Sequence, residues 1–134
     1  MPPPRNEHWA GTMTEARPEL PGSWQRAVLP LLLLSELQQG RRHGYALGKA
    51  LQQRGLDPVK GATLYPALAK LEERGEVAAS WEEGSGGPGR KVYELTSRGR
   101  EALAHYLLAF DRLTRIVAVQ VPEAHRAQEQ GQPG

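Results

Sequence analysis

The sequence contains no cysteine among its 134 residues, which excludes disulfide bonds, thiolate nucleophiles and cysteine-based zinc sites. Long apolar runs are also lacking. The longest, from Ala27 to Leu34, is far shorter than the ~20 residues that a membrane-spanning helix needs. The N-terminus is rich in proline and polar residues and has no hydrophobic signal core. We therefore expect a soluble, cytoplasmic protein that does not span a membrane.

Groups of residues typical of enzymes are scarce as well. The four histidines are scattered along the chain, and two of them stand near its ends. Glu101 and His105 lie one helical turn apart, but a stable metal site needs three or four ligands and no further candidate is nearby. His43 more plausibly orders the turn before a helix. No Ser/His/Asp set stands out, so we expect neither an enzyme nor a cofactor nor a metal.

A glycine-rich segment, "GSGGPG" at positions 84–89, matches the dinucleotide-binding pattern letter for letter. In a nucleotide site such glycines follow a strand and open a helix, whose N-terminus takes the pyrophosphate. Here the residues that follow, 90–95, are strand-like, and Pro88 lies within the turn. The segment is therefore better interpreted as the tip of a β-hairpin.

Both ends of the chain lack periodic apolar residues. Residues 1–22 are predicted to form a disordered, proline-rich arm, and residues 122–134 a disordered tail. Arg5 and Arg17 of the arm are the cations that such a segment would lay along a phosphate backbone. The charge of the whole chain, +2 with 17 Lys and Arg against 15 Asp and Glu, is compatible with nucleic acid but does not require it.

The segment between Ser23 and Gly40 predicts a first helix, capped by its first residue and stopped by its last. Pro30 should kink this helix unless the helix starts near Leu29. Leucines at positions 31–34 cover every side of a helix, so the helix must be buried on more than one face. Contact with a partner subunit is one way in which a small protein can achieve that burial.

Two shorter helices are predicted next, one ending at Gly55 and the other at Gly75. Pro66 lies inside the second of these, and proline is tolerated only in a first turn, so the helix should begin near Thr63. Its buried face consists of leucines spaced as on a helix: Leu64, Leu68 and Leu71. The strand-like runs 76–83 and 90–96 follow, the latter alternating as a strand with one buried face should.

Thr96 is predicted to cap a long last helix that runs to about Gln120. Its apolar residues recur at the spacing of a seam between two helices. The predicted order is thus three helices, a hairpin and a helix. This order defines a mainly α fold with a small β-hairpin: a winged helix-turn-helix domain over residues 23–96, followed by a dimerisation helix over residues 97–121.

In a helix-turn-helix the second helix of the pair enters the major groove with its N-terminal residues, and hydroxyl and cationic side chains bind phosphates. The predicted DNA-binding residues are at the start of the third helix, one turn further along it, and at the exit of the hairpin tip: Lys60, Thr63, Tyr65, Lys70, Arg90 and Lys91. The alternative for two of them is structural, because Thr63 is a suitable N-cap and Tyr65 could be half-buried core.

Three segments, "HGYALGKAL", "TLYPALAKLEERGEV" and "GGPGRKVYELTSRGREAL", in this order and spacing, resemble the PadR family of bacterial transcriptional regulators over about Val28 to Leu113. The resemblance implies a homodimeric winged-helix protein. Most members of the family are repressors that release operator DNA on sensing a small molecule or stress. Family members usually have a small hydroxyl residue in place of Lys60 and a glycine in place of Ala62. Either Gly61 or Thr63 would then be the N-cap of the recognition helix.

Short members of the family dimerise through the first and last helices. On that basis the dimerisation residues are Leu32, Leu103, Tyr106, Leu107, Phe110, Thr114 and Val117. Tyr106 and Phe110 are also candidates for a pocket that binds a small-molecule effector, the alternative being that they are plain dimer core. Trp81 could pack beneath the hairpin or stay half-exposed. The alternative function is that of a winged-helix module that binds a protein and not DNA.

Overall fold

The computed structural model describes residues 19–84 and 86–118. Most of the predicted arm, the predicted tail and the last two residues of the predicted last helix lie outside these ranges. The helices and strands of the described residues are α1 (Gly22–Ala27), α2 (Leu29–Leu37), β1 (Arg42–His43), α3 (Gly44–Gln53), α4 (Gly61–Glu73), β2 (Val77–Glu82), β3 (Arg90–Leu95) and α5 (Ser97–Ala118). The prediction of a mainly helical fold with a small β-hairpin is confirmed. None of the helices in the described ranges is long and apolar enough to cross a membrane.

A leucine-rich core lies between the helices and the sheet. Its fully buried members come from α2, α3, α4 and β2: Leu33, Leu34, Leu47, Leu51, Leu68, Leu71 and Val77. Burying each of these leucines stabilises the fold by about 1.5–3 kcal/mol relative to leaving it exposed. The predicted leucine face of α4 is therefore confirmed, and it holds the opposite face of that helix toward solvent.

The predicted first helix is interrupted in the structure. α1 ends at Val28, whose backbone (φ −99°, ψ 10°) leaves the helical region, and α2 restarts at Leu29 with Pro30 in its first turn. A proline there removes no intrahelical hydrogen bond, because the N–H groups of a first turn have no helical partner. The N-cap prediction was wrong: Pro21 occupies the cap position, and Ser23 lies inside α1.

The leucines of α2 are buried mostly by the protein's own core. Leu33 and Leu34 are completely buried, and Leu31 and Leu32 pack against the core while remaining partly exposed. The helix also carries Glu36, which is 3% exposed. Its carboxylate accepts a hydrogen bond of 2.6 Å from Arg54 and lies 3.5 Å from Arg42. These two ion pairs join α2 to the end of α3 and to β1.

The sheet has three antiparallel strands in the order β1-β3-β2. β2 and β3 form the predicted hairpin, in which Val77 pairs with Leu95, and the short β1 is an addition that the sequence did not predict. The prediction that buried and exposed side chains alternate along β3 was wrong at one position, since Val92 and Tyr93 are neighbours and both are buried. The reason is that β3 is the central strand and also contacts α2, α3 and α5.

β1 also determines the environment of His43. This residue pairs with Val92 across the sheet and occupies the N-cap position of α3. Its Nε2 atom lies 3.3 Å from a carboxylate oxygen of Glu82 but is not aligned for a hydrogen bond. The expectation that His43 orders the turn before α3 therefore agrees with its position.

Thr96 is confirmed as the N-cap of the last helix. Its hydroxyl oxygen accepts a hydrogen bond of 3.0 Å from the N–H of Gly99 and donates one of 2.6 Å to the carbonyl of Gly75. A side chain at Gly99 would collide with the carbonyl of Glu76. Gly75, with φ +76°, ends α4 as predicted. The start of α5 is thus tied directly to the segment that joins α4 to β2.

Candidate nucleic-acid interface

The helix that was expected to enter DNA begins earlier than predicted. α4 starts at Gly61, and Lys60, with an extended backbone (φ −69°, ψ 150°), occupies the N-cap position. The prediction of Gly61 or Thr63 as N-cap was wrong, because both are inside the helix. No side chain caps this end, and the first turn contains no acidic residue. The N–H of Thr63 donates to the carbonyl of Lys60. The N–H groups of Gly61 and Ala62 and the positive end of the helix dipole are thus available to an external anion.

Pro66 is the sixth residue of α4. The sequence predicts that Pro66 lies in the first turn, where its missing N–H has no effect on the helix. In the second turn it leaves the carbonyl of Ala62 without its usual partner four residues on. Pro66 and Ala62 are both exposed, so water or a bound molecule can reach this carbonyl. The helix continues through Pro66 because its leucine face stays packed on the core.

The predicted DNA-binding side chains of α4 all point away from the core. Lys60, Thr63, Tyr65 and Lys70 are exposed. Tyr65 is 47% exposed, and its hydroxyl makes no hydrogen bond within the described part of the chain. This exposure agrees with the alternative of a half-buried Tyr65 as well as with a role in binding DNA. Its hydroxyl is free to donate to a phosphate oxygen.

The Tyr65 ring is positioned by two glycines. A Cβ atom at Gly44 would lie 2.6 Å from Cε1 of the ring, and a Cβ at Gly61 would lie 3.6 Å from its other edge. Gly44 is buried at the start of α3. The ring therefore rests on the backbone of α3, and any side chain at Gly44 would displace it.

The β2–β3 hairpin, which is the wing of this fold, contacts α4 through a charged pair. Nζ of Lys91 lies 3.3 Å from a carboxylate oxygen of Glu72, and 5.7 Å from the centre of the Tyr93 ring. Burial raises the pKa of the Tyr93 hydroxyl above its ordinary value of 10.0, so this phenol is neutral near pH 7. Arg90 is exposed and has no ion pair within the described ranges. Of the two predicted wing cations, Arg90 is the one whose charge is not shared with a carboxylate.

The first helix of the pair contributes side chains that the sequence analysis missed. Tyr45, Lys49 and Gln52 of α3 line a groove that Gly61 and Tyr65 of α4 close on its other side. Nζ of Lys49 lies 5.7 Å from the centre of the Tyr45 ring. In helix-turn-helix proteins this first helix crosses the DNA backbone. The spacing of the three residues, i, i+4 and i+7, was the signal that could have found them.

Gln25, which the sequence did not single out, holds the loop that leads into α4. Gln25 of α1 is 8% exposed, and its amide donates to the carbonyl of Asp57 and accepts from the N–H of Asp57, both at 3.0 Å. A side-chain amide thus pairs with the backbone as a neighbouring strand would. Lys60 and Thr63 line the groove beside this contact, together with Arg26. Gln25 therefore fixes the entry of the chain into α4.

The structure brings the start of α4 and the outer face of α3 together, where they border one groove. The exit of the wing meets α4 nearer its other end, where Lys91 pairs with Glu72. Trp81 near the hairpin tip does not pack beneath the hairpin; it is 72% exposed. The fold places α2, α3 and α4 before the β2–β3 hairpin, and α4, the second helix of the helix-turn-helix, has one face exposed. This arrangement defines the winged helix-turn-helix class of nucleic-acid-binding domain.

Comparison with known proteins identifies the family within this class. Residues 33–105 match the model of the transcriptional regulator PadR-like family. A transcriptional regulator of Mycobacterium tuberculosis is 35% identical over 94 residues, which are 70% of this chain and 86% of that protein. The chain belongs to the PadR-like family.

Solved structures agree with this assignment. A PadR family transcriptional regulator from Eggerthella lenta superposes with a TM-score of 0.68 at 32% identity, covering 75% of this chain and 88% of that one. A transcriptional regulator from Clostridium thermocellum has the same fold, with a TM-score of 0.69 at 23% identity over 77% of this chain and 99% of its own. The chain is thus a DNA-binding transcriptional regulator, and the prediction that it is not an enzyme is confirmed.

Proposed function

We propose that this regulator is a homodimeric repressor that binds a double-stranded operator through the start of α4 and the wing, and that a small-molecule or stress signal releases it. The observation that carries the proposal is the start of α4: an uncapped helix end without carboxylates, beside exposed Lys60, Thr63 and Tyr65. Lys70 and the wing cations Arg90 and Lys91 extend the contact along the phosphate backbone of the DNA. A surface of this composition suits phosphate and base edges.

The last helix supports the homodimer. Leu103 is buried against the protein's own core, and Tyr106 packs partly against it. Further along α5 the stripe is uncovered: Leu107 and Phe110 are each 53% exposed, and Leu113, Ile116 and Val117 are similarly exposed. Extended apolar surfaces of this kind are rare on monomers.

Thr114 lies on the same apolar stripe, and its hydroxyl group does not prevent the stripe from being buried in a dimer. Its hydroxyl donates to the carbonyl of Phe110 at 3.0 Å, so the polar group is satisfied within the helix. We assign the dimer contact to the second half of α5, with Leu32 of α2 at its margin. Tyr106 and Phe110 stand where the helix leaves its own domain, and in the dimer their rings would line the effector pocket.

The domain limits follow from this role. Residues 23–96 carry the DNA-binding domain and residues 97–121 the dimerisation helix, and the regulator acts in the cytoplasm, where its operator is.

The competing function, a winged helix that binds another protein without DNA, has no comparable observation behind it. The start of α4 presents a cation and two hydroxyl groups, from Lys60, Thr63 and Tyr65, and these groups suit phosphate oxygens.

A binding titration against salt tests the proposal. The full chain is mixed with duplexes from the region upstream of its own gene and with a scrambled duplex, at a series of salt concentrations. For a repressor of this kind we expect the affinity for all duplexes to fall steeply as the salt concentration rises. At each salt concentration the upstream duplexes should still bind more tightly than the scrambled duplex. Binding that is absent at low salt, or that does not depend on salt, would refute DNA recognition by this face.

A further inference from the structure

The outermost stripe of α4 is apolar except at its C-terminal end. A helix turns about 100° per residue, and the buried leucines at 64, 68 and 71 define its inner side. The side directly opposite is occupied by Ala62, Pro66, Ala69 and Glu73, all of which are exposed. The predicted contact residues Thr63 and Tyr65 stand on either flank of this stripe. If α4 enters the major groove, Ala62, Pro66 and Ala69 face the base edges most directly.

These three side chains have no hydrogen-bonding atoms. They cannot read the donors and acceptors by which guanine, cytosine and adenine are distinguished in the major groove. The one apolar feature that a base pair presents there is the C5-methyl group of thymine, and alanine is among the residues that contact it. A methyl or ring carbon against this methyl group removes apolar surface from water on both sides.

The charges on α4 fix which end of the stripe is inserted. Its carboxylates, Glu72 and Glu73, are confined to the last turn, and the first turn has none. Glu73 continues the outer stripe at its C-terminal end, where it would be repelled by phosphates. The N-terminal end with Lys60 therefore enters, and Ala62 and Pro66 lie deepest.

We propose that Ala62, Pro66 and Ala69 read thymine methyl groups in the operator, a role that rests on the proposed DNA recognition by α4. From Ala62 to Ala69 the helix rises ~10 Å, which corresponds to about three base-pair steps of 3.4 Å. Each half-site accordingly carries two or three thymines within a window of about four base pairs. The flanking residues Thr63 and Tyr65 supply the hydrogen bonds.

Replacing thymine by deoxyuridine tests this reading, since uracil keeps the base pair and lacks only the methyl group. The preferred operator is first selected from random duplexes with the full chain, and each thymine is then replaced singly. We expect two or three positions per half-site at which affinity falls about three- to five-fold, the equivalent of one buried methyl group. The ratio of affinities for thymine and uracil duplexes is taken on the same protein sample, so a loss of folding stability cancels.

Variants assign the effect to the stripe. Ala62→Gly and Ala69→Gly remove the contacting carbon, and each should abolish the thymine preference at its own position. Ala67→Gly is the matched control: it lies on the same helix but packs partly against the core, and it should keep the preference at every position. Equal affinities for all thymine and uracil duplexes, or no position at which Ala62→Gly or Ala69→Gly removes the thymine preference, would overturn the inference while leaving operator binding intact. Failure to bind any duplex would instead refute the proposed function itself.

Discussion

Replacing Tyr65 by phenylalanine separates a binding role from a structural one. The ring rests on the backbone at Gly44 and Gly61, and the substitution leaves these contacts in place. The hydroxyl makes no hydrogen bond within the described residues, so its removal leaves no partner unsatisfied. We expect the free energy of unfolding to change by less than about 0.5 kcal/mol, as for other surface substitutions.

Operator binding should respond differently. A hydrogen bond to a charged group contributes about 1.5–3 kcal/mol, so its loss should weaken binding roughly ten- to hundred-fold. Fluorescence anisotropy with a labelled operator measures the affinity, and thermal unfolding measures the stability. Tyr106→Phe on α5 removes a hydroxyl away from the proposed DNA surface and should leave the affinity unchanged. A Tyr65→Phe protein that loses thermal stability but binds normally would refute the reasoning.

Four further variants test the wing, the dimer and the loop before α4. Arg90→Ala should shallow the slope of log affinity against log salt by about one unit on specific and nonspecific DNA alike. Lys91→Ala should change it less because that ammonium group is already paired; a loss confined to the specific site would mean that the wing reads bases. Leu107→Glu with Phe110→Glu should give monomers that bind the operator weakly, and a variant that still sediments as a dimer would disprove the α5 interface. Gln25→Ala leaves two backbone groups unpaired and should destabilise the fold by about 2 kcal/mol, lowering the Tm by roughly 10 °C; an unchanged Tm would contradict the role of this amide.

The elements that local chemistry determines could be predicted from the sequence. Gly55 and Gly75 have positive φ values just after α3 and α4, where glycine ends helices at low conformational cost. Thr96 caps α5 through its own hydroxyl, and the leucine spacing of α4 identified its buried face. Each of these features depends on residues within about two helical turns of each other.

Features that depend on distant residues could not be predicted. β1 is only two residues long and exists because Val92 and Tyr93 of the central strand pair with it. Gln25 recognises a backbone 32 positions away, and nothing in its neighbourhood in the sequence indicates this. The sequence predicts a later start for α4 because a proline usually marks the first turn of a helix. The packed leucine face compensates for the hydrogen bond that proline removes, which is a tertiary effect.

The candidate site shows the same division. The residues of α4 predicted to bind DNA are exposed, as that role requires, because a helical face follows from periodicity. The pairing of Lys91 with Glu72 and the contribution of Lys49 from α3 arise from packing between elements. Glu72 is exposed on α4 and yet is paired with the wing.

Cleavage of the operator from a single position on α4 would test the central claim most directly. The chain has no cysteine, so Thr63→Cys provides one attachment point for a DNA-cleaving iron chelate, and Ala104→Cys on α5 provides the control. If the start of α4 lies in the major groove of a dimer's operator, cleavage from position 63 should fall at two symmetric sites, one per half-site, about one helical turn or a multiple of it apart. Cleavage from position 104 should be weaker at both sites. Equal cutting from the two positions, or none from position 63 in a complex that still forms, would contradict recognition of DNA by this helix.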